Sequence, residues 1–149
     1  MITVDHEVLI RVPPAEVFEF VTNAENDNAW VGFTLSTGKL SVAPIGWATR
    51  FHQTGAILGT RIPLVWEITA FEPGKRMRGE AISGPAKFWG EYIVQEVPFG
   101  TRVRKMGQIE LDGLLQVAEV LGSLFQKALE RDLENLKRLL ELRAAQHRT

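Results

Sequence analysis

Three side chains in this 149-residue chain could move a proton or hold a polar group within an apolar setting: Tyr92, the single tyrosine, together with His6 and Lys105. Each lies in a run whose alternate residues are apolar, so each shares a face with hydrophobic neighbours: His6 with Val4 and Val8, Tyr92 with Phe88 and Val94, Lys105 with Val103 and Ile109. A buried phenol needs a partner for its hydroxyl. Here that partner is either a ligand or a backbone carbonyl. An imidazole titrates near neutral pH and suits acid–base chemistry, but His6 reads equally as a hydrogen-bonded core residue. Lys105 either meets the same space or carries its ammonium out to water along an apolar stem. Thr49 and Gln53 add hydroxyl and amide groups on the same face.

Other candidates for chemistry are weaker. His52 falls on the opposite face and His147 lies near the C-terminus. Glu25 and Asp27 read as helix surface and capping, and Asp132 sits near an apolar stripe between Ala128 and Leu136 with its role open. No His-x-x-x-His pair suggests a metal, Gly55–Gly59 lacks the Lys-Ser/Thr of a phosphate loop, and no serine sits in a nucleophile elbow. With no Cys there is no disulfide, thiolate ligand or Cys nucleophile. No cofactor is expected.

The elements that must position these groups follow from periodicity. Ile2 to Val12 alternates as a strand, ended by Pro13-Pro14, with a short helix over Ala15–Val21 and a second over Ala24–Trp30 capped by Thr22 or Asn23. Strands are expected at Leu35–Val42, Ala48–Ile57, Arg61–Phe71, Arg76–Ile82, Lys87–Val97 and Thr101–Leu111, separated by Gly- and Pro-bearing turns that make an antiparallel meander. From Leu114 to about Ala145 runs one amphipathic helix, capped by Asp112, roughly 48 Å long at 1.5 Å per residue. Its apolar stripe, which includes Leu114, Val117, Leu121, Phe125, Ala128 and Leu129, needs a cover, and a curved sheet is the one large surface on offer. A sheet wrapped on a rod leaves a hollow where its curvature exceeds what side chains fill. Inward parity predicts Trp47, Thr49, Phe51 and Gln53 on one strand and Ile62, Leu64, Trp66, Ile68 and Ala70 on the next, with Gly79, Gly90 and Gly107 leaving room between them.

Length and charge bound the rest. A chain of 149 residues with net charge −1 predicts one domain over 1–149, no basic field for nucleic acid and, without an apolar stretch near eighteen residues or a leader-like N-terminus, a cytoplasmic protein that does not insert into membranes. A homodimer is the assembly to expect of such a chain.

Five pieces in order carry a family resemblance. Arg11-Val12-Pro13-Pro14-Ala15-Glu16-Val17-Phe18-Glu19-Phe20-Val21 resembles the opening strand-to-helix junction of the START-like, or SRPBCC, superfamily, and Trp30 follows the second short helix. Pro44-Ile45-Gly46-Trp47-Ala48-Thr49-Arg50-Phe51, Trp66–Met77 with its Glu72-Pro73 turn, and Gly100-Thr101-Arg102-Val103 are similar to segments of the polyketide cyclase/dehydrase family within it. The resemblance implies an α+β helix-grip fold: a seven-stranded curved antiparallel sheet around a long C-terminal helix, two short helices after the first strand, and an internal cavity. It implies a small hydrophobic ligand, which is lipid-, polyketide- or aromatic-like, or else polyketide aromatase/cyclase or dehydratase activity with Tyr92 and His6 handling protons. No convincing inward Arg accompanies them, which favours binding over catalysis. A third reading is an interaction module of the chaperone-activator or ribosome-associated type, meeting a partner through Leu9, Phe71 or Phe99. The expected lining is Trp30, Thr49, Phe51, Gln53, Trp66, Phe88, Tyr92, Lys105, Leu114, Leu121 and Phe125.

Overall fold

The structure, a computed structural model, describes residues 1–57, 59–111 and 118–147. Strands β1 (Ile2–Ile10), β2 (Thr34–Lys39), β3 (Arg50–Ile57), β4 (Thr60–Glu72), β5 (Arg76–Ser83), β6 (Ala86–Val97) and β7 (Gly100–Leu111) form one sheet in the order β1-β7-β6-β5-β4-β3-β2. Every neighbouring pair is antiparallel. Between β1 and β2 lie helix α1 (Pro14–Thr22) and a short 3-10 helix (Ala24–Ala29). The long helix α2 (Ala118–His147) closes the chain. This is the helix-grip architecture: a curled antiparallel sheet with the C-terminal helix laid against its concave face.

Local chemistry explains the joints. Pro13 and Pro14 stop β1 and start α1, whose inner side buries Val17, Phe18, Val21 and Thr22. The Asn23 side chain accepts the Glu25 N–H at 3.1 Å and so opens the 3-10 helix. The expected cap Asp112 and the lining residue Leu114 lie outside the described residues.

Strand parity fails at two breaks in the ladder, the first misplacing Trp47 and the second both Phe71 and Ala70, which pairs with Arg78 on the outer face instead of pointing inward. Ala48 takes a left-handed φ of 69° and β3 begins only at Arg50, so alternation cannot be carried back to Trp47, which is 77% exposed instead of inward. On β4 the register against β5 shifts between Ile68 and Ala70. This bulge places Phe71 opposite Met77 and turns it inward, where its ring lies 5.5 Å from that of Phe18. Phe71 therefore belongs to the core and not to an outer docking patch, whereas Leu9 and Phe99 stay exposed.

The apolar residues form two clusters. The larger joins Ile10, Val17, Phe51, Ile68, Val103, Leu133 and Leu136 under α1 and the C-terminal half of α2. The smaller holds Ile2, Val4 and Leu121, with Ile109, Phe125 and Leu129 against it.

Helix α2 also covers the β1 edge of the sheet. The Gln126 side-chain amide pairs with both backbone groups of Asp5: Oε1 accepts the N–H at 3.1 Å and Nε2 donates to the C=O at 2.8 Å. Lys137 Nζ donates to the Leu9 carbonyl at 2.7 Å, and the Glu141 carboxylate accepts the Arg11 N–H at 2.9 Å. Side chains of the helix thus take backbone hydrogen bonds that another strand would otherwise find open.

Candidate functional site

The site begins with two rows of residues running across the strands. In register, Met77, Tyr92, Lys105 and His6 stand side by side on β5, β6, β7 and β1. Two positions further along, Gly79, Gly90, Gly107 and Val4 make the next row on the same face. Three glycines abreast leave a trough, and large neighbours lean over it. A Cβ on Gly79 would meet the Trp66 ring at 2.9 Å, and one on Gly90 would meet Lys105 Nζ at 3.2 Å. The lysine can bend back toward the middle of the sheet because position 90 carries no side chain.

The trough is roofed by α2 and the 3-10 helix and opens into two adjoining chambers of about 130 and 240 Å³. Residues of the larger apolar cluster, including Val21, Ala24, Trp66, Met77 and Tyr92, wall the first. Residues that pack on or belong to the smaller cluster, Val4, Ile109, Phe125 and Leu129, wall the second with Phe33 and Ala128. Val31, Gln53, Phe88, Gly90 and Lys105 border both. Lys105 therefore stands at the waist of a mostly apolar space, where the two clusters fail to merge.

Around it gather the remaining titratable groups. Lys105 Nζ lies 3.7 Å from the centroid of the Tyr92 ring, a cation–π contact. Among the described residues no carboxylate comes within ion-pairing distance of it. Asp27 lines the first chamber and Asp132 the second. By area Asp27 and Lys105 are half-buried, and both line the mostly apolar chambers, whose walls solvate their charges poorly. Burial lifts Asp27 from 3.8 to about 7, against the pull of Lys105 and helped by the charge of Asp132. Burial likewise lowers Lys105 from 10.5 to about 8, opposed by Asp27 and Asp132. Asp132 is raised by burial, although its Oδ1 accepts the Gly32 N–H at 3.1 Å. The Tyr92 phenol is pushed well above 10.0 by burial and then by the two acids, so it stays protonated. A neutral phenol, an acid and an amine that both exchange protons near neutral pH, and a second carboxyl thus meet in one apolar space.

Of the residues expected in the lining, Gln53, Trp66, Phe88, Tyr92, Lys105 and Phe125 border the chambers. Gln53 is already engaged: its Nε2 donates to Thr34 Oγ1 at 2.7 Å and its Oε1 accepts from Trp66 Nε1 at 3.1 Å, so it sets the indole in place. The other described ones lie elsewhere for identifiable reasons. Thr49 is buried with its Oγ1 accepting the Gly46 N–H at 3.0 Å, closing the turn before β3. Phe51 is fully buried behind Trp66, stacked at 4.7 Å between centroids. Trp30 supports Tyr92 from behind, with ring centroids 6.3 Å apart. Leu121 is committed to the smaller cluster. His6 is on the predicted face and half-buried, but β1 is the strand along which α2 lies, and His6 borders neither chamber.

Asp27 and Asp132 were not among the expected site residues. A carboxylate in a six-residue 3-10 helix gives no facial periodicity to read. Asp132 did carry a signal, as an acid interrupting the stripe between Ala128 and Leu136. Among the described residues no group of three acids, histidines or cysteines could hold a metal, and no helix is long and apolar enough to cross a membrane. A larger open groove of about 620 Å³ between α1, the 3-10 helix and the end of α2 gathers Glu16, Glu19, Arg143 and His147 but none of these converging groups.

No curated protein matches the chain. Among solved structures it is similar to TTHA0849 from Thermus thermophilus, at 22% identity and a TM-score of 0.80, covering 96% of this chain and 98% of that one. DR_A0006 from Deinococcus radiodurans gives 20%, 0.73, 95% and 98%. The di-domain ARO/CYC BexL from the BE-7585A biosynthetic pathway gives 18% and 0.73 over 95% of this chain and 47% of that one. These likenesses are to the fold. A family model described as polyketide cyclase/dehydrase and lipid transport matches residues 1–141, and the chain belongs to that family.

Proposed function

We propose that this protein binds a small hydrophobic molecule in the paired chambers, with the apolar body against Phe88, Phe125, Leu129 and Trp66 and a carbonyl or other electron-rich end at Lys105. The observation that carries this reading is the lysine at the waist of an otherwise apolar space with no carboxylate in ion-pairing contact among the described residues. An unpaired buried charge is costly, and a ligand's polar end relieves it. The chambers suit one small aromatic or ketide-like body, or part of a lipid chain.

Thermal-shift titration against polyketide-like aromatics, aryl ketones and fatty acids tests the proposal. A compound present at a hundredfold its Kd adds about 2.7 kcal/mol and should raise Tm by roughly 5–10 °C. Ala128→Trp, which fills the second chamber, should abolish the shift. A panel in which no hydrophobic compound moves Tm, or an undiminished shift in the filled variant, would refute it.

One observation favours a second reading, a cyclase or dehydratase type of activity. Asp27 and Lys105 line one cavity, the acid raised to about 7 and the amine lowered to about 8 by burial, which brings both toward the range that general acid–base catalysis uses. In that reading Lys105 and Asp27 move protons on a keto substrate and Tyr92 donates a hydrogen bond, while His6 has no place.

A further inference from the structure

We propose that Lys105 is a carbonyl-trapping nucleophile, whose amine condenses with an aldehyde or ketone lodged in the paired chambers to give a lysyl iminium. This deepens the binding reading and rests on it: it names the reactive class of ligand.

Three features of the geometry converge on this assignment. Lys105 Nζ lies between the two chambers, 3.7 Å from the centroid of the Tyr92 ring, in the trough that Gly90 leaves open. It is tied down by no carboxylate among the described residues, so no ion pair has to break before the amine can react. The surroundings are apolar, which favours the neutral amine, the form that attacks. The charged or titratable groups facing it are Asp27 from the 3-10 helix, Asp132 from α2 and Tyr92 from β6, with His6 its register neighbour on β1.

The atoms balance without an added reagent. The ammonium gives its proton to the Asp27 carboxylate through a water that spans the gap between them, the same relay serving the return step. The neutral nitrogen attacks the carbonyl carbon, a C–N bond forms, and the second N–H proton moves to the oxygen to make a carbinolamine. Asp27 then returns its proton to the departing hydroxyl, the C–O bond breaks, water leaves and the nitrogen lone pair closes the C=N⁺ bond. Tyr92, protonated throughout, donates to the oxygen on its way from carbonyl to hydroxyl. An iminium withdraws electrons from the adjacent carbon, so the condensed ligand is activated for loss of an α proton, the step on which aldol-type ring closures and eliminations depend.

The test is reductive trapping of the full chain. Protein is mixed at pH 8 with 2-naphthaldehyde and sodium cyanoborohydride, digested and mapped by mass spectrometry. The expected result, apart from labelling of the α-amine, is a single lysine adduct, on Lys105, heavier by the aldehyde less one oxygen. Labelling of Lys39, Lys87 and Lys127, none of which borders the two chambers, should trail far behind. Lys105→Met should lose the adduct while still binding 2-methylnaphthalene, which has the same body and no carbonyl. Asp27→Asn should slow trapping at least tenfold with 2-methylnaphthalene binding kept. Labelling spread over the surface lysines, or no Lys105 adduct in protein that binds 2-methylnaphthalene, overturns the nucleophile and leaves the binding site standing. Failure of 2-methylnaphthalene as well as the aldehyde to bind overturns both.

Discussion

At the scale of single residues, the decisive fact is a mismatch between charge and solvent. Asp27 and Lys105 are each displaced toward their neutral form because the chamber solvates charge poorly, and the sign of that displacement fixes how stability answers to pH. The folded-state pKa of Asp27 is raised, so its contribution is fully present below 3.8 and is lost as pH climbs through about 7. The folded-state pKa of Lys105 is lowered, so its contribution is fully present above 10.5 and is lost as pH falls through about 8. Stability from this pair should therefore pass through a minimum between about pH 7 and 8. Denaturation followed across pH should show Asp27→Asn removing the decline on the acidic side and Lys105→Met removing the rise on the alkaline side. Profiles for both variants parallel to the parent would show that the two groups are solvated after all. Tyr92 and Lys105 were legible in the sequence, since alternation alone puts both on the inner face. Asp27 was not, because its place depends on how a short 3-10 helix docks, which no periodicity encodes.

At the scale of elements, the ladder of three glycines shapes the chamber, and its members differ in why they are glycine. A Cβ at position 107 would stand 2.6 Å from the Trp89 carbonyl oxygen, a backbone atom that cannot step aside. At position 90 the nearest obstacle is the tip of Lys105, which can swing away. Gly107→Ala should cost about 1–3 kcal/mol by overcrowding. Gly90→Ala should leave Tm nearly unchanged but displace the ammonium, and so weaken both ligand binding and Lys105 trapping. Urea unfolding of the two variants decides: equal losses would mean that the trough is a packing feature with no tie to the lysine. Parity placed these glycines correctly because β5, β6 and β7 run without interruption between Gly79 and Gly107 in their mutual pairing. It failed at Trp47 and Phe71, where a left-handed Ala48 and a β4 bulge reset the count. Breaks of that kind arise from how a curved sheet relieves strain, and nothing at Ile68-Thr69-Ala70 announces one.

At the scale of the whole molecule, the run of antiparallel neighbours from β2 to β7 and the embracing helix were foreseeable, since short turns dictate a meander and a long amphipathic rod must be covered, whereas no turn announces the pairing of β1 with β7. Also hidden was how the rod is fastened. Two of its fastenings come from one side chain, Gln126, which satisfies both backbone groups of Asp5 on the sheet's border. Gln126→Ala should cost about 1 kcal/mol, the usual net return of such bonds in a partly exposed setting, and should speed amide hydrogen exchange at Asp5 more than elsewhere on β1. Unaltered exchange at Asp5 would mean that the contact is not maintained in solution.

That fastening links access to cohesion. The rod whose inner stripe ceils the chambers is the rod whose polar flank seals the sheet's rim, so the two duties cannot be suspended separately. Any departure of the helix wide enough to admit a guest from that side also bares Asp5 and Leu9 as unclaimed donors and acceptors, a template on which a second copy's rim could zip. A resident guest, by holding the rod down, would guard the protein against sticking to itself.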